Sequence, residues 1–251
     1  MTICHLPHAT LHLQQAGAGS DIVLLHHAIG NVRSWRKQLP VLAERLRATA
    51  YDRPGFGQSS WLDAWPLDYL DQDVADLISL LDALDIGHAT LVGHSDGATI
   101  ALLAAARHPQ RVAAVLAESP HVAVEVPRCP DAIEQFAAEV AASPDLQASL
   151  ARHHGLRARQ VVQRWHDRWC DPAFWAWDVS GELAQVRCPV LVVHGAGDPY
   201  FSVQHSAMVA QRTQGELVVL PGVGHSPHIE APHLFEPLLL DFLQRASSPQ
   251  T

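Results

Sequence analysis

One five-residue stretch constrains this chain more than any other. Gly93-His94-Ser95-Asp96-Gly97 directly follows an apolar run at 89–92 and directly precedes a helix-period run at 98–107, with a second apolar run at 112–117. A strand, a tight turn, a helix and another strand in such short compass pack when the helix lies back across the two strands. The two glycines leave room for a backbone conformation that a side chain would block. They lift the Ser95 hydroxyl off the sheet and aim the following N–H groups at one point. Out of context Gly-x-Ser-x-Gly is a short chance match; between a strand and a helix it marks Ser95 as a nucleophile.

The remaining sequence repeats this alternation. A weak hairpin through 10–15 is followed by a strand at 21–26, the loop His26-His27-Ala28-Ile29-Gly30, a helix at 34–46 and a strand at 48–51 closed by the turn DRPGFGQSS. Leu70, Val74, Leu77, Ile78, Leu81 and Leu84 recur at helical spacing with acids opposite, so 68–84 predicts a helix with one face on the sheet. Further on come PVLVVHGAGD, a helix near 203–212, ELVVLPGVGH and a last helix near 232–245. The pattern predicts an α/β fold, a mostly parallel central sheet with helices on both faces. Between 120 and 186 the alternation lapses into helical sequence bearing Arg, His and Trp, which reads as an insertion into one core formed by 1–119 and 187–251. A length of 251 residues is ordinary for one such domain. The tail SSPQT is expected to be disordered.

A serine hydroxyl is a poor nucleophile at neutral pH, so a base and an orienting acid are expected on other strand ends. Asp198 follows PVLVVHGAG and His225 follows ELVVLPGVG, each just past the carboxyl end of a strand, where open α/β sheets place their ligands. Taken singly, Asp198 is also a turn aspartate before Pro199, and His225 a loop histidine beside His228. Glu118, at the end of the 112–117 strand, is the alternative acid. Acyl transfer also needs two donors aimed at the oxyanion. The backbone N–H groups of Asp96 and Ala28 are the candidates, and the Asp96 side chain is expected to cap the following helix.

Charge and cysteine usage exclude other classes. The net charge is −9, the cations do not cluster, and a phosphate-backbone partner is not expected. Cys4, Cys129, Cys170 and Cys188 show no C-x-x-C spacing, which predicts reduced thiols in a cytosol. The first residues lack a basic start and a long apolar stretch, and no apolar run reaches the roughly 18 residues of a membrane span, so a cytoplasmic, membrane-free protein is expected. The 17 histidines are scattered without an H-E-x-x-H, so no metal and no cofactor are expected. A small-molecule substrate remains as the expected partner. Oligomeric state is not legible.

The segments LLHHAIG, YDRPGFGQS, LVGHSDGA, PVLVVHGAGD and LPGVGHSPH, in this order, resemble the α/β-hydrolase superfamily from about residue 21 to 245. The stretches GHSDGA, ESPHVAVE and WCDPAFWAW further resemble a bacterial subgroup of hydrolases. The resemblance implies Ser95, Asp198 and His225 as a catalytic triad, Ala28 and Asp96 as oxyanion-hole amides, and 120–186 as a helical cap roofing an acyl or alcohol pocket. Trp165, Trp169, Trp175 and Trp177 fall in that segment, and Trp165 and Trp169 share a helix face. They are candidates for a pocket wall or for glue between cap and body. His121, Glu125, His153 and His154 are candidate polar pocket groups. The family's usual His-Gly pair is His26-His27 here, which places an imidazole near the pocket mouth. A serine rather than an aspartate at position 95 speaks against haloalkane dehalogenase or epoxide hydrolase chemistry. The implied function is cofactor-free serine hydrolysis of a small to medium carboxylic ester, thioester or lactone. The alternatives are C–C bond hydrolysis of vinylogous diketones or perhydrolysis by the same triad, and a non-catalytic ligand-binding member of the fold.

Overall fold

The computed structural model describes residues 2–62 and 65–246. The expected disorder of the SSPQT tail falls outside them. The strands are β1 (Thr2–His5), β2 (Thr10–Ala16), β3 (Asp21–Leu25), β4 (Arg47–Tyr51), β5 (Ala89–His94), β6 (Val112–Glu118), β7 (Val190–Gly195) and β8 (Glu216–Leu220). They form one eight-stranded sheet in the order β1-β2-β4-β3-β5-β6-β7-β8. β1 pairs antiparallel with β2 and β2 with β4, while β4 through β8 run parallel.

Both faces of the inner parallel strands are buried, as helical crossovers require. Alternate residues of one strand feed separate cores: Val23 and Leu25 of β3 join one, Ile22 and Leu24 the other. The first core receives α2 (Tyr69–Ala83), α3 (Asp96–Arg107) and α7 (Val203–Thr213); the second receives α1 (Gln38–Leu42) and α9 (Pro232–Ala246).

The expected helix at 34–46 is instead a 3₁₀ turn, Val32–Trp35, followed by the short α1. Pro40 explains the break. It has no N–H to give to a carbonyl a turn behind, so it is tolerated only in the first turn, where it lies in α1. The opening hairpin is longer than expected, because Thr2–His5 supplies its outer strand.

Between β6 and β7 the chain forms α4 (Arg128–Ala142), α5 (Pro144–His154) and α6 (Ala158–Trp169). These helices sit against the loops at the carboxyl ends of β3 and β4. The Arg164 guanidinium donates to the Gly55 carbonyl at 2.8 Å and the Leu62 carbonyl at 2.6 Å, and stacks over the Trp61 ring. His154 Nε2 donates to the Ile29 carbonyl at 2.9 Å while its Nδ1 accepts from Gly57 N–H at 3.1 Å. Among the described residues no helix is long and apolar enough to cross a membrane.

Candidate active site

β5 runs directly into Ser95, whose φ of 58° and ψ of −120° lie where side chains are rarely found. Such a residue typically costs about 1–3 kcal/mol and persists only where its surroundings over-determine it. Here they do. The Ser95 N–H donates to the Glu118 carbonyl at 2.9 Å, and the Ser95 carbonyl accepts from Ala98 N–H at 2.9 Å. The flanking glycines are dictated by contact: a Cβ on Gly93 would lie 2.2 Å from the Gly97 carbonyl oxygen, and one on Gly97 2.2 Å from that of Leu25. Helix α3 can therefore press onto β3 and β5 with Ser95 at its head.

Asp198 lies just past β7 and His225 just past β8. The Asp198 Oδ2 accepts from His225 Nδ1 at 2.7 Å, and Oδ1 accepts from Tyr200 N–H at 2.8 Å. Burial pushes the Asp198 carboxyl upward, but the His225 imidazole and these donors outweigh it and hold the group below its ordinary range. Burial likewise pulls His225 down, and the Asp198 charge and hydrogen bond overcome it, so the imidazole titrates above 6.5. The loop bearing His225 is bracketed by Glu230, whose carboxylate accepts from Gly224 N–H at 2.7 Å and Ser226 N–H at 2.8 Å. From below, His94 Nε2 donates to the His225 carbonyl at 2.9 Å. Glu118, the alternative acid, faces elsewhere: its Oε1 accepts from the His228 N–H at 2.7 Å and lies 2.9 Å from His228 Nδ1.

Ser95, His225, Ala28 and Asp96 line one cavity of about 370 Å³. As the first residue of α3, Asp96 has an N–H with no carbonyl a turn behind to receive it. The loop carrying Ala28 is folded by His26, which donates from Nδ1 to the His27 carbonyl at 2.7 Å and accepts the Arg53 N–H on Nε2 at 3.0 Å. His27 lines the cavity with one ring edge folded onto Gly30, where a Cβ would come within 2.7 Å of it. Burial, with the nearby His228, His225 and Arg53, drives His27 well below its ordinary pKa, so the ring is neutral.

The Asp96 side chain is not the helix cap expected of it. Its carboxylate accepts from Arg53 Nη2 at 3.3 Å and Tyr69 OH at 3.2 Å, and lies 3.1 Å from His121 Nε2. The cause is Arg53, a fully buried cation that draws in both Asp96 and Asp73. Burial raises Asp73 to about 7 even with Arg53 beside it. His121 lines the cavity, stacked on Phe201 with ring centroids 4.8 Å apart. Trp165 and Trp169 also line it, while Trp177 stacks on Phe174 and Trp175 donates to the Trp169 carbonyl, both away from the cavity.

Glu125 is not among the lining residues. Its carboxylate accepts the Ser202 N–H at 2.8 Å, at the head of α7. His153 and His154 are likewise spent on holding the α4–α6 segment to the Ile29–Asn31 loop and the β4 turn. Sequence reasoning missed Tyr200, Phe201, Ile133, Phe136 and Glu230 as cavity residues. The aromatic pair Tyr200-Phe201, two residues past Asp198, was a signal that could have found two of them.

Comparison with known proteins agrees with this architecture. The chain is 29% identical to the serine hydrolase BPHL of Mus musculus, over 93% of this chain and 83% of that one. It is also 29% identical to the 2-hydroxymuconate semialdehyde hydrolase of Pseudomonas sp. (strain CF600), over 94% and 91%. Its fold superposes on the enol-lactonase from Burkholderia xenovorans LB400 with a TM-score of 0.79 at 21% identity, covering 97% of this chain and all of that one. The model of the alpha/beta hydrolase family matches residues 22–238, and the chain belongs to that family.

Proposed function

We propose that the protein is a cofactor-free serine hydrolase that cleaves a small to medium carboxylic ester, thioester or lactone through an acyl-enzyme at Ser95. The observation that carries this reading is the strained turn holding Ser95 on the same cavity as a His225 imidazole fixed by Asp198 at 2.7 Å. His225 takes the Ser95 proton as the hydroxyl attacks the carbonyl, and Asp198 holds the tautomer and stabilises the imidazolium. The oxyanion rests between the Ala28 and Asp96 amides. His225 returns its proton to the leaving alcohol or thiol, then activates the water that releases the acid. The α4–α6 segment acts as a cap, with Trp165 and Trp169 as part of the pocket wall.

The test is labelling by a fluorophosphonate probe read by intact mass. Stoichiometric labelling of the wild type, lost in Ser95→Ala, is expected; a folded wild type that does not label would overturn the reading. The relative named as a 2-hydroxymuconate semialdehyde hydrolase favours a second reading, C–C bond hydrolysis by the same residues. Turnover of a ring-cleavage dienoate in preference to p-nitrophenyl esters would move that reading to the front.

A further inference from the structure

We propose that the cavity selects a ring-bearing acyl substrate and rejects substrates that carry a carboxylate. The inference rests on the reading of Ser95 as nucleophile and adds the class of molecule it attacks. Its basis is the inventory of side chains around the cavity. Among the described residues, no lysine or arginine lines it. Arg53, close beneath the cavity at Asp96, is buried and paired with Asp73 and Asp96.

The lining imidazoles offer no charge either. Burial holds both His27 and His121 below their ordinary pKa, and they are neutral at pH 7. The one imidazole that titrates upward is His225, which must be neutral to work as base. A substrate carboxylate drawn to it would hold it protonated and block its own turnover. The two lining carboxylates, Asp96 and Glu230, repel a further anion. A carboxylate entering this space loses its water and gains no cationic partner.

What the wall does offer is a run of aromatic edges leading away from the base. Tyr200 stands edge-on to His225 with centroids 4.8 Å apart, Trp165 edge-on to Tyr200 at 6.0 Å, and Phe136 edge-on to Trp165 at 5.8 Å. Tyr200, Trp165 and Phe136 all line the cavity, and such a wall packs well against a substrate ring. Ile133 and Cys129 complete an apolar lining suited to an aryl or alkyl chain.

Three p-nitrophenyl esters test this: the pentanoate, the monoester of glutarate matched to it in length, and the 3-phenylpropanoate as the ring-bearing member. The phenylpropanoate is expected to be turned over at least as fast as the pentanoate, and the glutarate ester at a kcat/KM lower by roughly 10²-fold. Ile133→Arg, or Phe136→Arg should the first variant fail to fold, is expected to raise glutarate turnover relative to pentanoate by about tenfold. The glutarate ester matching the pentanoate in the wild type would overturn the inference, as would wild-type selectivity in a folded, probe-labelled arginine variant. Fluorophosphonate labelling separates the two levels of failure: an enzyme that labels at Ser95 yet prefers a charged ester refutes only the selectivity.

Discussion

Two helices of nearly equal length show how differently the body behind Ser95 and the segment at 120–186 are held. Helix α3, behind Ser95, is buried at every residue from Asp96 to Ala106, whereas α5, in the segment over the cavity, buries only His154. The first is fixed by the sheet it lies on. The second is tied down by a few hydrogen bonds from its last turn to the loops after β3 and β4. The proposed chemical groups thus stand on strand ends packed into the body, and α4 and α6, which carry Ile133, Phe136, Trp165 and Trp169 of the wall, bury only part of their length. Rigid support suits groups that must meet at bonding distance, while looser support suits a wall that admits and releases substrate.

Substitutions should separate the two regions by size of effect. Ser95→Ala is expected to lower kcat by about 10⁴–10⁶ without loss of folded signal by circular dichroism, as a p-nitrophenyl ester assay will report. Asp198→Asn should cost on the order of 10⁴ in kcat. The wild-type kcat/KM should fall toward acid with a midpoint above 6.5, because only neutral His225 can accept the serine proton. The residual activity of Asp198→Asn should show that midpoint moved lower, since the carboxylate that raised it is gone. A wild-type profile flat to about pH 4 would remove His225 from the role of base.

Smaller effects follow away from the reacting groups. Arg53→Met leaves Asp73 and Asp96 buried without their cation and should destabilise the fold by about 3–5 kcal/mol in urea denaturation. On the other side of the pocket, Trp165→Leu should change the preference between phenylpropanoate and acetate esters by about 10- to 200-fold while leaving probe labelling of Ser95 intact. His154→Ala, which strips partners from Gly57 N–H and the Ile29 carbonyl, should cost about 1–2 kcal/mol and loosen amide protection in α5 before anywhere else. Equal loosening of α3 in that variant would erase the contrast between the two regions.

The strand ends were legible because parallel strands are written as short apolar runs, and a polar residue just beyond such a run has few places to go. Asp198 and His225 could be nominated on that basis, and Ser95 from the Gly-x-Ser-x-Gly turn between a strand and a helix. Asp96 was read as a cap because its partners, Arg53, Tyr69 and His121, come from three other parts of the chain. Sequence spacing carries no record of such a meeting. Glu125 looked like a pocket group from its position in the insertion, yet a single free amide on Ser202 claims it. The break at Pro40 was there to be read, and the apolar period around it masked it.

Arg53 has a further consequence, for the order in which the site assembles. Its guanidinium and backbone join the loop after β4 to the His27 carbonyl and His26 ring of the loop after β3, to Asp73 of α2 and to Asp96 of α3. None of these partners alone compensates a cation stripped of water, so the set closes together or stays open. The floor beneath Ser95 and Ala28 is therefore expected to act as a single cooperative unit with the sheet, its amides exchanging with solvent only on unfolding of the whole domain while the less buried helices above open locally.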